Sequence, residues 1–133
     1  MTTKLDMLTK LKKQKCLDNS DLLEDKKEMA SIWFASLRDD ICKSFEEIEN
    51  SQLNKNTNIK FVQKKWERDG GGGGVISIMK GNVFEKVGVN ISTVYGKFSK
   101  EFREQIPGAE ENGIFWASGI SVVSHMSNPY IPA

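Results

Sequence analysis

The sequence predicts an α+β fold, a mainly antiparallel sheet flanked by helices, and three observations carry that prediction. From Asp21 to Ile48 apolar residues recur at three- and four-residue steps, the period of a helix with one buried face. Beyond residue 60 the period changes to short β-branched and aromatic runs, which read as strands. Lys80-Gly81-Asn82 supplies hairpin chemistry between two of those runs, so an antiparallel meander follows. With 133 residues the chain suits one ordinary domain, 1–133. Its 38% apolar and 28% charged content belongs to a globular protein in water.

Taken in order, residues 1–20 form a flexible basic arm: Lys4, Lys10, Lys12, Lys13 and Lys15 stand against Asp6, with no Arg and no cleavage pattern of a targeting segment. Asp21, with Glu24 three residues later, caps the long helix, whose stripe is Ala30, Trp33, Leu37, Ile41, Phe45 and Ile48. Lys26, Lys27, Glu28, Arg38, Asp39, Lys43, Glu46 and Glu47 fall off the stripe as its wet face. A polar loop, Asn50 to Asn58, ends the helix, and Lys60 to Arg68 forms a strand around Phe61 and Trp66. After the glycines, Val75 to Met79 and Val83 to Tyr95 are strands, with Gly88 marking a bulge and Gly96 a stop. Ser99 caps a short helix, Lys100 to Ile106, stopped by Pro107-Gly108. Ile114 to Met126 is the last strand, before an extended, polyproline-like exit from Asn128 to Pro132.

The run Gly70-Gly71-Gly72-Gly73-Gly74 needs its own explanation, because five residues without a Cβ lose much backbone entropy on ordering. It lacks the Lys of a phosphate-binding P-loop and the spacing of a dinucleotide fingerprint. The alternatives are a flexible linker or a tight element presenting backbone N–H groups to carboxylates or to a flat ligand, and strand-like residues on both sides favour the second.

Net charge of +1 supplies no basic field for nucleic acid. The longest apolar stretch, Ile114 to Val123, is too short to span a bilayer. Cys16 and Cys42 lack metal-ligand spacing and read as free thiols in the cytoplasm. His125 is the single histidine; strand alternation puts it on one face with Ser121, a polar binding wall with neither a triad carboxylate nor a metal cluster in sight. Glu85 and Lys86 point to opposite faces, and either one is solvated and the other caps a sheet edge, or Lys86 or Arg68 meets an acidic substrate beside the glycines.

Several stretches in the same order carry a resemblance. Trp66-Glu67-Arg68, the glycine run, Gly81 to Ser92 (GNVFEKVGVNIS) and Gly119 to Pro132 (GISVVSHMSNPYIP) resemble the signatures of oxygen-dependent coproporphyrinogen III oxidases, and the helix from Ala30 to Glu47 is similar to that family's opening helix. The resemblance implies an enzyme of haem biosynthesis that decarboxylates two propionates of coproporphyrinogen III to vinyl groups, with dioxygen as co-substrate and no organic cofactor. It implies a cytoplasmic homodimer dimerising through Val89, Asn90, Ile91, Ser92, Val94 and Tyr95. It makes Ser121 a substrate contact, with Arg68, Gly72, Gly73 and Gly74 as further candidates, and His125 a candidate ligand of a divalent metal. The chain departs from the family in having five glycines where four are usual. The family's His-x-Asn-x-Arg cluster, with its proton donor, would fall beyond Ala133. The resulting expectation is an N-terminal half, inactive alone. The alternative is a non-catalytic fragment that binds porphyrinogen or pairs with a separately encoded C-terminal half.

Overall fold

A computed structural model describes residues 19–51 and 58–132. Most of the basic arm, Cys16, much of the loop after the long helix, and Ala133 lie outside the described residues. Helix α1, Asn19–Ser51, runs 33 residues without a Gly or Pro, two residues longer at its start than the cap at Asp21 predicts. Strands β1 (Val62–Glu67), β2 (Gly72–Met79), β3 (Phe84–Lys97) and β4 (Ile114–Met126) form one antiparallel sheet in that order, with a four-residue helix α2, Lys100–Arg103, between the last two. The α+β class and the meander are as the sequence predicts.

Helix α1 lies across one face of the sheet, against β3 and β4. Cys42 of the helix is buried against Met79, Phe84, Val87 and Val89 of the sheet, with Ile41, Phe45 and Ile120 packed around them. Phe45 meets Phe84 edge to face, ring centroids 5.0 Å apart. Toward the helix N-terminus the contact turns polar: Ser31 Oγ lies 3.3 Å from Thr93 Oγ1, which lies 2.8 Å from Ser118 Oγ. The seam is rotated from the predicted stripe. Trp33 and Ile48 are exposed, whereas Cys42 and Glu49 are buried. Periodicity weighs all apolar residues alike, but the sheet accepts only the side centred on residues 38, 42, 45 and 49. Two residues of the predicted wet face are drawn in: Glu46 accepts hydrogen bonds from Phe61 N at 2.9 Å and Lys60 Nζ at 2.7 Å, and the Arg38 side chain is only 11% exposed and pairs with its neighbour Asp39 at 2.7 Å.

Glu49 is wholly buried, a feature the sequence does not announce. Its carboxylate accepts hydrogen bonds from Asn82 N at 2.6 Å, Val83 N at 3.2 Å and Phe84 N at 3.1 Å, tying the end of α1 to the β2–β3 turn. Three N–H donors to one carboxylate offset the cost of taking that charge out of water. Gly81 is required beside it, because a Cβ there would run into the carboxylate.

The glycine run divides between turn and strand. Arg68 N donates to Gly72 O and Gly71 N to Arg68 O, each at 2.9 Å, closing a tight β1–β2 connection. Gly71 and Gly72 take φ of 110° and 86°, values that L side chains rarely adopt. From Gly72 onward the glycines are strand, so β2 starts earlier than the apolar residues predict.

Three further expectations give way. Gly88 pairs regularly with Ile78 and Val123; the bulge sits instead at Glu85, between the pairs Phe84–Met126 and Lys86–His125. Strand β3 continues through Gly96 to Lys97. Helix α2 keeps its Ser99 cap, which accepts from Phe102 N at 3.3 Å, but ends at Arg103. The exit folds into a turn: Asn128 accepts Tyr130 N on its side chain at 3.0 Å and Ile131 N on its carbonyl at 3.2 Å. An Asn followed by Pro favours that turn over an extended chain.

Candidate functional site: the open face of the sheet

In an antiparallel ladder directly opposed residues share a face, so the registers sort every strand residue. Ser77, Met79, Val87 and Val89 lie under α1; Ile76, Ile78, Gly88, Asn90, Ser121 and Val123 lie on the face without a helix. Two adjoining hollows occupy that open face. The first, of ≈440 Å³, is lined by Trp66, Ile76, Asn90, Ser92, Gly119 and Ser121. The second, of ≈290 Å³, is lined by Ile76, Ile78, Lys86, Gly88, Val123 and His125, with Asn90 again at its rim.

Ile76 and Asn90 line both hollows, and so form the ridge between them. Asn90 Oδ1 accepts Ser77 N at 3.3 Å, which fixes the amide so that Nδ2 turns toward Gly88. Ser121 stands opposite Asn90, and His125 opposite Lys86. Ser121 and His125 do share a face, yet four strand residues separate their Cα atoms by about 13 Å. They are therefore two ends of one binding surface, too far apart for nucleophile and base.

Residues 72–74 lie within β2, flanked on both sides by ladder partners in β1 and β3, so their backbone groups face neighbouring strands instead of forming a free wall of donors. Their smallness serves close approach. A Cβ on Gly73 would meet the Trp66 carbonyl, and one on Gly74 would meet the Trp66 indole and the Ile91 carbonyl. The missing side chains let the Trp66 ring settle against the strand and wall the first hollow. The glycines that border the hollows are Gly88 and Gly119.

Arg68 lies elsewhere. Its Nη1 donates to Tyr95 O at 3.1 Å, and its guanidinium sits 5.5 Å from the centre of the Phe115 ring. Tyr95 is five residues along β3 from Asn90, about 17 Å away. Among residues 89–95, Val89 is wholly buried under α1 and Ile91 shares its face, while Asn90, Ser92 and Val94 belong to the open face. Strand β3 is interior, so neither of its edges is available to another chain.

Among the described residues no group of three or more His, Cys, Asp or Glu side chains converges as a metal site. His125 stands opposite Lys86 across the ladder. What the face offers is an aliphatic and aromatic floor with the Asn90 amide, the Ser92 and Ser121 hydroxyls, the His125 imidazole and the ammonium groups of Lys64 and Lys86 around it. Such a surface suits a broad apolar ring bearing acidic arms. Sequence reasoning placed Ser121 and His125 on one face but missed Asn90, Ile76, Gly88 and Gly119 as their neighbours. Only the cross-strand register brings those residues together.

The description "Coproporphyrinogen III oxidase" matches residues 29–133 of the chain. An oxygen-dependent coproporphyrinogen-III oxidase from Rickettsia felis is 59% identical over 111 residues, covering 82% of this chain and 40% of the relative. Its counterpart from Rickettsia bellii is 59% identical over 110 residues, covering 80% and 39%. The chain thus spans about 40% of the length of the curated relatives it matches. Among the described residues no helix is long and apolar enough to cross a membrane.

Proposed function

Because the chain belongs to the coproporphyrinogen III oxidase family, we propose that its open sheet face receives coproporphyrinogen III in the oxygen-dependent conversion of two propionates to vinyl groups. Each conversion consumes one dioxygen: the propionic acid loses its carboxyl carbon as carbon dioxide and two hydrogens to hydrogen peroxide, leaving the vinyl carbon pair. The observation behind this reading is the pair of adjoining hollows that share Ile76 and Asn90. A tetrapyrrole laid across that ridge places pyrroles on Ile76 and Trp66, with acidic arms toward Ser121 and toward the Lys86–His125 end.

Binding and orientation are this chain's contribution. Its one histidine lies about 13 Å from Ser121, so the described residues bring no serine–histidine pair to one point. Turnover, in this reading, needs groups that lie outside residues 1–133, in a cytoplasmic assembly that is a homodimer when whole. Purified chain should bind coproporphyrinogen III under argon yet release no protoporphyrinogen on admission of oxygen. Ser121→Ala should weaken binding about threefold to tenfold, the loss of one hydrogen bond. Turnover by the chain alone would overturn the binding-only role, and absence of binding would overturn the reading itself.

One feature favours the alternative of a non-catalytic fragment paired with a separately encoded C-terminal half. Strand β4 is thirteen residues long and lies at an edge of the described sheet, a surface that can add a strand. Co-purification with such a half would support that pairing.

A further inference from the structure

Lys86 is placed on the open face by an irregularity of the chain. Phe84 pairs with Met126 and Lys86 with His125, so β3 spends two residues where β4 spends one, and Glu85 is the extra residue. The insertion lets Phe84 and Val87, three positions apart, both bury under α1. It also leaves Lys86 on the opposite face, lining the second hollow beside His125. Bulges of this kind re-aim side chains.

The ammonium arrives there without a carboxylate. Lys86 is in no ion pair among the described residues, nor are several other lysines such as Lys64 and Lys65; what sets Lys86 apart is its place at the rim of the second hollow. The other side chains around the hollow are Ile76, Ile78, Val123, Asn90 and His125, none of them anionic. An unpaired cation at the rim of an apolar hollow is arranged to receive an anion from outside, and the adjacent aliphatic surface suits an anion on an apolar stem. Resting on the proposed function, we infer that Lys86 binds a propionate carboxylate of the tetrapyrrole, fixing which arm of the macrocycle lies over the second hollow. Asn90 Nδ2, turned toward Gly88, is a second donor on the same side of the ridge.

The test uses the whole chain and coproporphyrin III, the stable oxidised macrocycle, with fluorescence anisotropy as readout. Its tetramethyl ester serves as the uncharged control. Lys86→Met should weaken binding of the acid about tenfold, as for one charge-assisted hydrogen bond, leave the ester unchanged, and flatten the salt dependence. Lys86→Arg should restore most of the loss. Equal binding of the acid by wild type and Lys86→Met would overturn the inference while leaving the proposed function standing. Equal losses for acid and ester would overturn it as well, since Lys86 would then act through shape. If wild type binds neither ligand, the inference and the proposed function fall together. Lys86 is exposed, so its variants should keep the parental melting curve, and Lys86→Gln repeats the comparison if the Met variant does not.

Discussion

At the scale of single residues, two buried groups of α1 hold the protein together in ways that can be measured. Glu49→Ala would leave three backbone N–H groups of the β2–β3 turn without their acceptor, and the expected loss is about 3 kcal/mol in urea unfolding. Glu49→Gln keeps one acceptor oxygen and should lose roughly half as much. Cys42 offers a pH test. Burial pushes its thiol up to about 11 from 9.0, against the opposing pull of Arg38. A thiol whose folded pKa is raised favours the folded state fully below pH 9.0, and that advantage is lost as pH rises through about 11. The predicted slope is on the order of 2 kcal/mol across that window. Thermal midpoints measured from pH 8.5 to 11 should fall less steeply in Cys42→Ala than in wild type; identical slopes would contradict the assignment.

The individual elements were unequally legible. Hydrophobic periodicity and hairpin chemistry announce α1, the meander and the full span of β4, because those signals are local. The side of α1 that meets the sheet was not legible, since Trp33 and Ile48 repeat as regularly as the residues that are buried. Nor was the bulge, which a glycine suggests at Gly88 but which the competing demands of Phe84 and Val87 place at Glu85. Ser121 and His125 could be put on one face by counting in twos, whereas Asn90 and Lys86 join them only through register. Glycines sharpen the distinction between fold and site. Gly73→Ala drives a Cβ onto the Trp66 carbonyl and should cost about 2–3 kcal/mol. Gly119→Ala meets no atom within 4 Å and should alter stability by about 0.5 kcal/mol or less, while its methyl enters the first hollow and weakens porphyrin binding. A Gly119→Ala variant that binds like wild type would argue against that hollow as the receiving surface.

For the molecule as a whole, the described sheet has β1 and β4 at its edges, and Ile114, Val122 and Val123 on β4 are exposed. An apolar edge of thirteen residues invites pairing with another chain. Sedimentation should show association that grows with protein concentration, and replacing Ile114 and Val122 with Lys should suppress it; a monomer across the whole range would disprove this. The position of α1 also sets a timetable for synthesis. The helix is translated before the strands it covers, β3 and β4, and its apolar seam closes against residues as late as Met126. At about 5–20 residues per second of synthesis, that seam stays uncovered for several seconds before a partner emerges. Until then the seam is the kind of apolar surface that a holding chaperone covers, and the core closes only once β3 and β4 have been made.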